Sequence, residues 1–310
     1  MDKMVHSGGT PVKQVVSVSL GSAHRDHEAE LTILGETVKV ARQGTDGDPE
    51  RARQRIRELD GTVDAIGLGG IDRYLVVRHR RYEVPLARQL AEASQHTPVV
   101  DGSGVKATWE YDVIGQLTAA GILDTDQPVL LVSSMDRFGM AQAFFDLGFP
   151  TVAGDLIFAS HIQYPIRSLG ELEELARKLL PELVKLPFAQ LYPVGEEQRQ
   201  ESDPRYAAYF DAAQIIAGDF HYIRRYLPPR LTGKTVITNT TTRADIDLLR
   251  ERGVRRVITT TPVLEGRSFG TNVIEAALVA VSGLSADEPD WPRLVRAAGL
   301  APTILDLTTE

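Results

Sequence analysis

The sequence predicts an α/β fold in two parts: an N-terminal α/β domain over residues 1–120 and a Rossmann-like, doubly wound parallel-sheet domain over residues 121–310. Three observations carry this prediction. From Pro128 onward, short β-branched runs alternate with stretches of helical period, as in strands joined by right-handed crossovers. The chain has 310 residues, 43% hydrophobic and 25% charged, which suffices for two ordinary cores. No segment repeats at the ~20–50-residue period of a solenoid.

The elements follow in order. Val15 to Leu20 is a β-branched run ending at Gly21 and reads as a strand. Two alternating runs, 29–34 and 37–41, meet at Gly35-Glu36 in a hairpin. Asp48 as N-cap and Pro49 in the first turn open a helix to Leu59. A buried strand, 63–68, stops at Gly69-Gly70, a tight turn. The basic run Arg78-His79-Arg80-Arg81 sits between two short apolar runs and reads as a hairpin tip. A helix over 85–94, a strand over 98–100 and a helix over 108–120, closed by Gly121, complete the first part. The second part reads as strands 129–132, 151–158, 188–194, 214–217, 235–239 and 256–260. Its helices are 139–147, 169–184, 204–213, 243–252 and 272–281.

Composition excludes several classes of function. The net charge of −8 and pI of about 5.5 supply no basic footprint for nucleic acid. The sequence has no cysteine, so disulfides, cysteine zinc sites and thiol catalysis are excluded. No apolar run reaches the ~18–20 residues needed to cross a bilayer, and the start lacks the apolar core of a secretion signal. These features make the expected location cytoplasmic and the expected partner a small molecule. The pair His24 and His27 lacks further ligands nearby and reads as a surface loop rather than a metal site.

The strand-to-helix turn after 129–132 is the first candidate site. A dinucleotide fingerprint, G-x-G-x-x-G, sets glycines where the pyrophosphate approaches the backbone. Here the three slots hold Ser134, Asp136 and Gly139. Asp136 sets a carboxylate against a pyrophosphate, and Arg137 offers an offsetting contact. Asp155, 21 residues after Ser134, stands where an acid accepts hydrogen bonds from the adenosine ribose. With no Arg following it, NAD is expected over NADP, which stays open. An ordinary strand-end Asp capping a turn is the equal alternative.

The second candidate pair is Lys106 and Asp112, which in one cleft would manage the proton of a substrate hydroxyl. A helix starting near Thr108 would place Lys106 at its positive end and lower its pKa. A solvated Lys and a helix-surface Asp form the plain alternative.

These residues carry a resemblance. Tyr111-Asp112-Val113-Ile114-Gly115, shortly before a Rossmann strand, resembles the N-T-D-x-x-G segment of shikimate and quinate dehydrogenases. The run Asn239-Thr240-Thr241 is similar to that family's N-A-T strand end near the cofactor. The whole chain resembles a divergent quinate 5-dehydrogenase branch. The resemblance implies an oxidoreductase transferring a hydride between a nicotinamide cofactor and a small hydroxylated carboxylic acid. It implies Lys106 and Asp112 as catalytic residues, and Ser17 with Ser19, or Arg25, as holders of the substrate carboxylate. It further implies Ser134, Asp136, Arg137, Gly139, Asp155, Asn239 and Thr240 at the cofactor. A homodimer is compatible with such a protein. The chain departs from the family where Lys106 and Asp112 lie only six apart and two fingerprint glycines are replaced. Those departures favour the alternative, a non-catalytic Rossmann protein that binds or senses another nucleotide or phosphorylated ligand.

Overall fold

The computed structural model describes residues 12–187, 204–264, 267–284 and 290–307. It is a mixed α/β protein built on two largely parallel sheets. The strand expected over 188–194 lies outside the described residues.

The first sheet contains β1 (Lys13–Ser19), β2 (His27–Ile33), β3 (Glu36–Gly44), β4 (Ala65–Gly69) and β7 (Val99–Val100), in the order β2-β3-β1-β4-β7. Only β2 runs antiparallel to its neighbour. The β2–β3 turn has Leu34 at φ 51° and Gly35 at φ 81°, the left-handed pair that suits the twist of a two-residue hairpin. Val15 to Ser19 of β1 are all buried, as in a central strand covered on both faces. Helices α1 (Pro49–Leu59) and α2 (Pro85–Ala91) cover one face, where Ala52, Ile56 and Leu90 meet Val16, Val18 and Leu68. Asp48 accepts from the amides of Glu50 and Arg51, the cap expected from sequence. A hairpin of β5 (Tyr74–Val77) and β6 (Arg80–Glu83) follows β4, with Arg78 at its tip.

The second sheet contains β8 (Val129–Leu131), β9 (Thr151–Ala153), β10 (Ile215–Ala217), β11 (Thr235–Thr238), β12 (Arg256–Thr259) and a terminal strand, Thr303–Asp306. From the terminal strand inward the order is β12-β11-β10-β8-β9, and only the terminal strand is antiparallel. One face packs on α4 (Phe138–Asp146) and α6 (Leu169–Leu183). The other packs on α7 (Pro204–Ala212), α8 (Phe220–Tyr226) and α9 (Arg243–Glu251). A short helix, α5 (Asp155–Ala159), follows β9 directly.

Two long helices join the halves. α3 (Ser103–Ala119) leads from the first sheet to the second, and its Trp109 Nε1 donates to the carbonyl of Thr260, 2.6 Å away. α10 (Thr271–Ser282) returns from the second half and packs against β1 and β4. A division at residue 120 therefore separates α10 from the sheet it covers. A last helix, α11 (Trp291–Ala297), packs on α3.

Two expectations need correction, and three short elements were not foreseen. The helix expected from Thr108 begins at Ser103, because its first turn is capped from afar: Glu275 of α10 accepts from the amide of Val105 at 2.8 Å. The strand expected over 151–158 ends at Ala153, and the chain turns at Gly154 into α5. α8, α11 and the terminal strand, all short, carry too few residues to show a period.

Candidate functional site

The carboxyl ends of both parallel sheets face a single cleft of about 510 Å³. This is where open α/β sheets place their ligands, because strand-end loops converge there. β1 supplies Ser17 and Ser19, the segment after it Gly21, Ser22 and Arg25, and β4 and its turn Gly69, Gly70 and Asp72. Opposite them stand Asp136 and Arg137 after β8, Asp219 and His221 after β10, and Asn239 to Thr242 after β11. Lys106 enters from the first turn of α3.

A buried ionic network fills the centre. Lys106 Nζ lies 2.9 Å from Asp72 Oδ1 and 2.9 Å from Asp136 Oδ1, so one ammonium ties the first half to the second. Arg137 bonds the fully buried Glu110 and, through Nη2, Asp219 at 2.9 Å; its Nε is 3.3 Å from Asp136. Burial pushes the Asp72 carboxyl up to about 8; Lys106 opposes that shift and Asp136 adds to it. Asp136 also suffers burial, but Lys106 and Arg137 outweigh it and hold its carboxyl below the usual range. Asp72 is thus the harder of the two to ionise and Asp136 the easier. Burial raises Glu110 as well, against the attraction of Arg137.

Two further contacts shape the walls. Arg25 Nη1 lies 2.8 Å from His221 Nε2, bridging the cleft; a guanidinium only donates, so the ring nitrogen accepts. Asn272 Nδ2 donates to Ser17 Oγ at 2.7 Å, fixing the start of α10 to β1. Gly70, at φ 71°, lies so close to the backbone of Leu20 and Gly21 that a Cβ there would meet the Gly21 nitrogen at 2.8 Å.

The residues singled out from sequence are only partly brought together. Ser17, Ser19, Arg25, Lys106, Asp136, Arg137, Asp155, Asn239 and Thr240 all line the cleft. Asp112 does not: it sits further along α3, 3.4 Å from Arg296 of α11. The expected Lys106–Asp112 proton pair is therefore not assembled, since six residues along a helix turn the two side chains to different sides. The expected lowering of the Lys106 pKa is reversed. Burial does work against its charge, but Asp136 and Asp72 together raise it. Ser134 is fully buried, and its amide and that of Met135 donate to Asp155 Oδ1 at 2.9 and 2.8 Å. Asp155 thus occupies from within the donors that the fingerprint turn would offer an anion. Gly139 serves packing, because a Cβ there would lie 2.5 Å from the carbonyl oxygen of Ala107.

Sequence reasoning missed Asp219, His221 and Asn272, and reached Asp72 only as the end of a glycine turn that could face the cleft. Asp72 was signalled by the Gly69-Gly70 turn two residues before it, and Asp219 by Gly218-Asp219 after a strand. Nothing local marks His221 or Asn272. His27, read as surface, stacks on Phe269 with ring centroids 4.3 Å apart and lines the cleft.

Fold and cleft together define a two-part α/β protein with its pocket between the parts. The chain belongs to the family described as Domain of unknown function (DUF8754), whose model matches residues 104–307. A second model, Domain of unknown function (DUF8753), matches residues 14–101. No curated protein matches the chain. Similar solved structures include AraP, an arabinose-binding protein from Geobacillus stearothermophilus, with TM-score 0.43 and 11% identity over 96% of this chain and 97% of that one. A periplasmic solute-binding protein of an ABC transporter from Actinobacillus succinogenes 130z, with bound D-allose, has TM-score 0.39 and 10% identity over 95% and 98%. Hetero-hexameric glutamate dehydrogenase from Thermus thermophilus has TM-score 0.42 and 14% identity over 93% and 73%.

These findings correct the expected kinship with quinate and shikimate dehydrogenases. The family models that match are the two domains of unknown function, over residues 14–101 and 104–307, and not a model of those dehydrogenases. The expected oxidoreductase activity falls with that kinship, and the separation of Asp112 from Lys106 removes its expected proton pair. The cytoplasmic placement is withdrawn too; among the similar structures are some titled as periplasmic.

Proposed function

We propose that this protein binds a small, neutral, hydroxyl-rich molecule in the cleft without converting it. The observation that carries the reading is the charge balance of the lining. Five carboxyl side chains, Asp72, Asp101, Asp136, Asp155 and Asp219, face four cations, Arg25, Arg42, Lys106 and Arg137. Three of those cations are already ion-paired: Lys106 with Asp72 and Asp136, Arg137 with Glu110 and Asp219, and Arg42 with Asp26. A phosphate or carboxylate entering beside Lys106 and Arg137 meets Asp72, Asp136 and Asp219, which already hold both cations. A hydroxyl suits it, because one O–H can donate to a carboxylate while its oxygen accepts from Lys106, Arg137 or Asn239. A monosaccharide or similar polyol is the simplest ligand of that kind, and the volume accommodates one.

Calorimetric and thermal-shift titration with neutral monosaccharides and polyols tests the reading, since a ligand of the native state raises the melting temperature. Saturable binding of a neutral polyol is expected. If sugar phosphates or uronates bind while their neutral parents do not, the reading is wrong. NAD and NADP belong in the same panel, because the turn amides a pyrophosphate would use already bond Asp155.

A further inference from the structure

The cleft has a direction, fixed by strand order. At one end, Arg25 and Arg42 from the β1–β3 side face His221 and Thr240 to Thr242 from the β10–β11 side. At the other end, the β5–β6 hairpin reaches α6, which follows β9, and Arg78 Nε donates to Glu173 at 2.7 Å. The lining at this second end changes character. Leu75 and Val84 of the first half face Leu156, Leu179 and Leu183 of the second.

Packing accounts for only part of these leucines: Leu75, Leu156, Leu179 and Leu183 touch the core yet stay half-buried. Along α6, Leu172, Ala176 and Leu180 recur every four residues and form the buried stripe that packs the helix onto the core. Leu179 and Leu183 belong to a neighbouring row that is only half-buried, and both line the cavity. Leu75 and Leu156 are likewise half-buried and line it from opposite sides. Partly hydrated apolar side chains gathered at one end of a small cleft grip the apolar part of a ligand. At about 510 Å³ the cavity suits a small molecule rather than a peptide or helix.

We propose that the ligand is amphipathic, with a hydroxylated head at Asp72, Lys106 and Asp136 and an aliphatic segment against Leu75, Leu156, Leu179 and Leu183. The proposal rests on the reading of the cleft as a polyol site and adds a second subsite to it. The ionic centre orients the head, and the leucine end selects for a tail by removing it from water.

The test is a titration of the full-length protein with alkane-1,2-diols of increasing length, from propanediol upward, followed by calorimetry. Each added methylene is expected to tighten binding about fourfold until the apolar end is filled. In Leu179→Asn and Leu183→Asn, whose side chains are half-buried, that gain per methylene is expected to collapse. Circular dichroism melts establish that both variants are folded, and Leu179→Ala serves if Leu179→Asn is not. Affinity that does not change with chain length, increments that survive in both variants, or no binding by any diol each overturn the proposal. Tail-free monosaccharides in the same experiment separate the two ideas. If they bind and the diols gain nothing with length, the apolar subsite falls and the polyol site stands; if neither class binds, both fall.

Discussion

Replacing Asp72 by Asn probes the carboxyl pair at the centre of the cleft. Asp72 is pushed up to about 8 by burial and by Asp136, so the folded protein holds a proton there that the unfolded chain releases near pH ~4. The sign follows from linkage. Between those values the folded state binds more protons, so stability falls as pH rises. The contribution is complete below about pH 4 and gone above the folded-state value. One proton corresponds to at most about 1.4 kcal/mol per pH unit. Asn has nearly the same shape, donates to Asp136 through its amide, and does not titrate. The free-energy difference between variant and parent should therefore shift in the variant's favour by about 2–3 kcal/mol between about pH 5.5 and 7.5. Urea unfolding followed by tryptophan fluorescence, at half-unit steps of pH, measures this directly. Parallel stability curves for the two proteins would refute the proton-sharing argument.

Other perturbations bear on neighbouring features. Arg137→Met leaves Glu110, which has 0% exposure, without its cation. A loss of about 3–5 kcal/mol is expected by chemical denaturation. Gly139→Ala drives a methyl group to 2.5 Å from the Ala107 carbonyl, and should cost roughly 1–3 kcal/mol as α3 and α4 are forced apart. Thermal melting checks it, and an unchanged melting temperature would mean the helices separate freely. Arg25→Ala removes the contact with His221 across the cleft. Small-angle scattering should then show a larger radius of gyration for the unliganded variant, and an unchanged radius would deny that contact a closing role.

What could be read from the sequence was what local chemistry encodes. Asp48-Pro49 marked the start of α1 to the residue, and Gly35 marked the β2–β3 turn, which falls at Leu34-Gly35 and not at Gly35-Glu36. The alternation of strands and helices after Pro128 placed the second sheet. The start of α3 was hidden because its cap, Glu275, lies 170 residues away. The strand end at Ala153 was hidden because Asp155 turns back to the amides of Ser134 and Met135. Lys106 was found for an unsound reason. Its residue type drew attention, while the two carboxylates that fix its charge come from separate loops that no spacing rule connects. Asp112 shows the opposite failure, a motif-like neighbourhood on a helix face that points to Arg296 and away from the cleft.

The return of α10 to the first sheet bears on how the chain is made. Val273, Ile274 and Leu278 share one apolar core with Val15, Ala65 and Val105. A ribosome that has released only the first hundred-odd residues has therefore delivered a sheet with one face uncovered. Closing it requires contacts across separations such as the 255 residues between Ser17 and Asn272, and late long-range contacts are slow to form. The N-terminal segment must wait, partly solvated, until α10 has been made, so the growing chain offers holdase chaperones and proteases a long period of access that a sequentially completed domain would not.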